Sequence, residues 1–181
     1  MNHLFYSIRL PKLTPDCEVD DGRIYVNKFS NDSHLSCLSR FSKYFSREGN
    51  YGMPAEYIWN TTAFEGYLLA DPYAQVVFGA VVFTPMTGTA RLDWVWLHPY
   101  FRKRQVFQKH WDYLLNKYAN ESNGYRVLVQ RPLSHAMLAF LKKQRQLEKI
   151  SLSCDLDDPD LLDVCSNRSL IVTKGTAPST T

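Results

Sequence analysis

The run QVVFGAVVF, residues Gln75 to Phe83, constrains this chain more than any other segment. It is apolar almost throughout and rich in valine. Valine is stiff at χ1 and suits a pleated surface. A strand with no polar alternate is buried on both faces, so its sheet needs cover on each side. Pro85 to Thr89, with Gly88, reads as a hairpin connection. ARLDWVWL, Ala90 to Leu97, reads as the next strand, and Pro99 stops it. A length of 181 residues gives one domain with short extensions, 1–21 as an N-terminal arm and 175–181 as a frayed tail. With 45% hydrophobic and 22% charged residues, long disorder and low-complexity fibres are excluded.

The remaining segments fall into order around this pair. Ile8 to Leu13 is an edge strand or an ordered arm. Arg23 to Phe29 alternates as a strand. Ser30, Asn31 and Asp32 are cap formers, followed by Leu35, Leu38, Phe41 and Phe45 at helical spacing up to Arg47–Gly49. Pro54 to Trp59 reads as a short helix, and Tyr67 to Ala70 as a strand before an Asp71-Pro72 turn. From Arg102 to Tyr118, Phe107, Trp111, Leu114, Leu115 and Tyr118 mark one face of the longest helix. Tyr125 to Gln130 is a strand, His135 to Lys143 a helix, Ile150 to Cys154 a strand, Leu161 to Val164 a helical turn and Leu170 to Thr173 a last strand. An antiparallel meander running into a β-α-β unit gives an α/β fold: a mixed, mostly antiparallel central sheet flanked by helices.

Composition removes several classes of function. A formal charge of +3 does not by itself call for nucleic acid. No stretch approaches an apolar membrane span, and the N-terminus lacks the apolar core of a signal peptide, so a cytoplasmic protein without membrane partners is expected. Cys17, Cys37, Cys154 and Cys165 are irregularly spaced, so no zinc site is expected and they read as reduced, buried small residues. The N-x-[ST] matches at Asn31, Asn60, Asn120 and Asn167 then carry no glycan. The acidic run Asp155 to Asp160 reads as a solvated turn.

Chemistry concentrates between Trp94 and Leu115, WVWLHPYFRKRQVFQKHWDYLL. A strand ends at His98-Pro99, a basic loop follows and a helix begins. A helix start offers unpaired N–H groups and the positive end of a dipole, which suits an anion. Arg102, Lys103 and Arg104 add cations there. Leu97 to Phe107 resembles the signature "V-h-P-x-y-R-g-k-G-x-G/A" of the GNAT superfamily of acyl-CoA-dependent N-acyltransferases. Ala136 to Lys142 resembles that family's "A-i-a-l-Y-e-k" segment, and the element order is similar over roughly residues 22 to 154.

The resemblance implies acetyl-CoA or another acyl-CoA as donor, bound by Leu97, Arg102, Lys103, Arg104, Gln105, Val106 and Phe107. It implies transfer of an acyl, in the first place acetyl, group to a primary amine of a small molecule, a protein or an aminoacyl-tRNA. A carboxylate or an ordered water near the amine can take its proton; Asp93 and Glu65 are the candidate carboxylates. Gln105 and Phe107 replace the motif's glycines, Lys103 stands where Gly is common, and Phe140 replaces a frequent Tyr and has no proton to give. A scaffold that has lost catalysis and serves as a binding or regulatory module is therefore the alternative. Nucleic-acid association through the basic loop is a third reading, and a homodimer is among the assemblies allowed. His98 reads as a strand terminator, and Trp94 and Trp96 as core or the wall of a substrate groove.

Overall fold

The computed structural model of the chain describes residues 8–14, 17–49, 63–119, 126–129, 135–147, 150–153 and 170–174. The readings at Pro54–Trp59, Asp155–Asp160, Leu161–Val164, Cys154, Cys165 and the tail 175–181 lie outside them. The strands are β1 (Arg23–Val26), β2 (Glu65–Asp71), β3 (Val76–Met86), β4 (Thr89–Leu97), β5 (Arg126–Val129), β6 (Ile150–Ser153) and β7 (Leu170–Lys174). The helices are α1 (Asp32–Gly49), α2 (Val106–Tyr118) and α3 (His135–Gln146), with a 3-10 turn at Pro99–Phe101. The sheet has seven strands in the order β1-β2-β3-β4-β5-β7-β6. The pairs β1–β2, β2–β3, β5–β7 and β6–β7 are antiparallel, while β4–β5 is parallel. The fold is therefore α/β with a mixed, mostly antiparallel sheet. No helix among the described residues is long and apolar enough to cross a membrane.

The chain forms two compact units, Met1–Thr84 with Trp94–His110, and Pro85–Asp93 with Trp111–Thr181. In the first, one sheet face buries Ile24, Val26, Leu68, Ala70, Val77, Ala80, Val82, Trp94 and Trp96 with Leu38 and Phe41 of α1. The helical spacing of the α1 aromatics sets them against the two tryptophans. Phe41 and Tyr44 lie 5.2 Å from the Trp96 ring, and Phe45 lies 5.8 Å from Trp94. Each such ring pair adds roughly 0.5–1.5 kcal/mol beyond area burial. Trp94 and Trp96 are thus core. The second unit holds the parallel register of Thr89–Leu92 with Arg126–Val129, and Phe140 of α3 meets Trp111 of α2 edge-on at 5.5 Å.

Several boundaries differ from the sequence reading. The strand Arg23 to Phe29 stops at Val26 because Asn27 Oδ1 accepts the Phe29 N–H, closing a turn. Of the two readings of Ile8 to Leu13, the segment is an ordered arm with one antiparallel bridge, Lys12 to Val76, where Leu13 N donates to the Gln75 carbonyl and Val77 N to the Pro11 carbonyl. The long helix starts at Val106 and not at Arg102, because Lys103 and Gln105 have φ of 60° and 59°, outside helical space. Cys17 and Cys37 are half-buried against the core instead of fully buried.

Candidate functional site

The end of β4 is fixed by close approach to β3. A Cβ at Gly79 would stand 2.6 Å from the Trp96 carbonyl oxygen and 2.7 Å from Leu97 Cδ2, so no larger residue fits there. Next to it the register slips: Leu69 faces Gly79 but Ala70 faces Val77, which leaves Phe78 as the extra residue of a bulge. The Phe78 carbonyl accepts the His98 N–H at 2.8 Å, and its ring stacks on Phe101 at 4.6 Å. This bulge, which a lone glycine inside an apolar run could have signalled, seats the turn that leads into the loop.

The turn itself is closed by His98. Its Nδ1 accepts the Tyr100 N–H, and Nε2 lies 3.3 Å from the Ile8 carbonyl. Both ring nitrogens are engaged, which leaves the neutral ring with its proton on Nε2. Burial, then the nearby Arg102 charge, lowers its pKa against the pull of the Ile8 carbonyl. His98 is therefore a cap.

The loop 102–105 carries three cations in two different situations. The Arg102 Nε donates to the Leu97 carbonyl at 2.8 Å, and its two terminal nitrogens grip both oxygens of Glu48, at the C-terminal end of α1. The Trp96 indole N–H donates to the same carboxylate at 2.9 Å. Lys103 and Arg104 are exposed, with the Arg104 guanidinium 3.8 Å from the ring centre of exposed Tyr100. Gln105 is exposed, Val106 half-buried and Phe107 buried, so Phe107 offers the loop its backbone and not its ring.

The left-handed backbone at 103 and 105 is the feature that residue types concealed. The motif resembled here uses glycine around these positions, and this chain reaches positive φ with Lys and Gln instead. Such a conformation costs an L-residue roughly 1–2 kcal/mol. The first turn of α2 carries no acidic residue.

The expected carboxylates are Glu65 and Asp93. Glu65 opens β2, half-buried and opposite Phe83. Asp93 lies on β4 in the other unit, its side chain only 5% exposed and its Oδ1 2.6 Å from Arg91 Nε. The structure thus gathers Leu97 and Arg102 through Phe107 into one unit, with Glu65 on a separate strand of that unit. His110, unnoticed in the sequence, is buried in α2, where burial, then the charges of Arg23 and Lys109, push its pKa down to about 4.

No family model and no curated protein sequence matches the chain. Solved structures do. The chain is similar to Tetrahymena GCN5 at 14% identity and a TM-score of 0.56, over 93% of this chain and 97% of that one. It is similar to an acetyltransferase of the GNAT family from Staphylococcus aureus at 12% identity and a TM-score of 0.53, over 84% and 98%. N-acetylglutamate synthase from Neisseria gonorrhoeae, solved with coenzyme A and N-acetyl-glutamate, matches at 8% identity and a TM-score of 0.50, over 85% of this chain and 36% of that one. These likenesses over most of the chain show that it has the GNAT fold.

Proposed function

We propose that this protein is an N-acyltransferase that takes an acyl group, in the first place acetyl, from an acyl-CoA and gives it to a primary amine. The observation that carries the reading is the junction before α2. It keeps a left-handed backbone at Lys103 and Gln105 without glycine, beside exposed cations and a helix start free of acid residues. A strained conformation kept without the residue that makes it easy points to a task for that backbone. The residue set suits a diphosphate. Lys103 and Arg104 supply charge, while the N–H groups of Gln105, Val106 and Phe107 supply directed donors. Backbone N–H groups around Leu97 would polarise the thioester carbonyl.

The donor supplies an activated acyl thioester. This chain's part is to hold it, admit the amine and take the amine's proton. Glu65 is the proposed proton acceptor, directly or through water. Asp93 is the second candidate, and an amine there would compete with Arg91 for its oxygen. The acceptor is a small molecule, a protein or an aminoacyl-tRNA, and a cytoplasmic site of action goes with this reading.

Acetyl-CoA should raise the Tm of the full chain, and free thiol should appear when a panel of amines is added. No Tm shift at millimolar acetyl-CoA, with the protein shown to be folded, would overturn the reading. One observation favours a binding or regulatory module instead. Phe140, where the resembled motif often has Tyr, packs on Trp111 and has no hydroxyl to protonate a leaving thiolate. A Tm shift without thiol release from any amine would support that module.

A further inference from the structure

We propose that Arg102 and Glu48 form a clasp that positions the end of β4 and the loop before α2, with the Arg102 guanidinium acting on protein and not on phosphate. The inference deepens the acyl-donor reading and rests on it. Arg102 stands at the arginine of the resembled motif, so charge alone would assign it to the donor. Its geometry assigns it otherwise. All three guanidinium nitrogens are used, Nε on the Leu97 carbonyl and the other two on Glu48. A fork-to-fork pair of this kind is directional as well as strong. Glu48 is held in turn by the Trp96 indole. The guanidinium also lies 5.7 Å from the centre of the Trp96 ring.

The consequence is a mechanical link across 54 residues of sequence. The last turn of α1 is tied to the strand end where the thioester carbonyl would sit, and to the first residue of the loop. Lys103 and Arg104 remain as the exposed cations of that loop. Glu48 and Arg102 are positioning residues, and neither is expected to touch the donor.

The sign of the effect at Glu48 decides the matter. Removing a carboxylate near a diphosphate site strengthens anion binding if only charge counts, whereas loosening a clasp weakens it. Acetyl-CoA affinity is measured by calorimetry on the full chain for wild type, Glu48→Ala, Arg102→Lys and the double variant. The clasp predicts that each single change weakens binding by about fivefold, and that the double variant is no weaker than either. Unchanged or tighter binding by Glu48→Ala overturns the proposal. So does wild-type affinity in Arg102→Lys, because a point charge would then suffice. Should a single variant be too unstable to titrate, the exchange Glu48→Arg with Arg102→Glu replaces it. Recovery of Tm towards wild type supports the clasp, and no recovery overturns it. A wild-type chain that binds no acetyl-CoA defeats the acyl-donor reading alone. The clasp is then judged on Tm, where equal and non-additive losses uphold it and additive or absent losses overturn it.

Discussion

The starts of α1 and α2 belong to the same unit and are built in opposite ways. At α1 the Asn31 side chain accepts the His34 N–H at 2.9 Å, and Asp32 places a negative charge in the first turn. That start satisfies its own donors and neutralises its own dipole. At α2 no acid stands in the first turn, the preceding residues are Arg102, Lys103 and Arg104, and the approach is left-handed at two residues. Burial is the main cause that lowers the pKa of a histidine in each helix, His34 in α1 and His110 in α2, where Arg23 and Lys109 push further against Asp21, down to about 4. One helix start carries its own cap and acid, and the other is approached by a loop of cations, the setting on which the proposed acyl-donor site rests.

The largest expected effect is on acid stability. His110 has its folded pKa below its ordinary 6.5, so the unfolded chain takes up the proton first as pH falls. Stability should be full above about pH 6.5 and erode down to about pH 4, by up to about 3 kcal/mol. Urea melts across that range should show the slope, and His110→Gln should flatten it. Equal slopes in both proteins would show that His110 is not held neutral by its burial in the folded chain.

Next comes charge reversal in the loop. Lys103→Glu with Arg104→Glu should weaken acetyl-CoA binding by about a hundredfold, as two charge-assisted contacts are lost. Calorimetry at low salt is the measurement, and an effect under about threefold would break the comparison.

The closed start should answer differently. Asn31→Ala should cost about 1 kcal/mol of stability in a denaturant melt and leave acetyl-CoA affinity unchanged. A drop in affinity would mean that α1's start also serves the donor.

The smallest effect belongs to Gln105→Gly. Strain is relieved while chain entropy is lost, so stability should move by less than about 1 kcal/mol. Affinity should rise a few-fold as a Cβ leaves the loop. A fall would show that the Gln105 side chain itself contributes.

Periodicity made most of the fold legible. The α1 aromatics, the valine run and the apolar face of α2 all carry their pattern in one dimension, since burial fixes residue type at every turn or alternate position. Boundaries set by single hydrogen bonds were not legible, as at Val26, where Asn27 closes the turn. The site divides in the same way. The loop's place and charge could be read from Arg102 to Arg104. Its conformation could not, because Lys103 and Gln105 adopt a backbone their residue types disfavour. The partner of Arg102 was equally hidden, since nothing local marks Glu48 among the charges at the end of α1. Glu65 and Asp93 are alike in sequence as acids near strands, and only the fold separates the one opening β2 from the one gripped by Arg91.

The close approach at Gly79 also has a bearing on how this sheet can err. A valine-rich strand has little in its own sequence to prevent sliding by one step against a neighbour. With Trp96 O and Leu97 Cδ2 leaving no room for a methyl group, only the residue without a side chain can occupy that place. A shift by one residue would drive Phe78 or Ala80 into it. The alignment of the whole junction, from Leu97 to the first turn of α2, is thus keyed by one hydrogen atom where every other amino acid would carry a carbon.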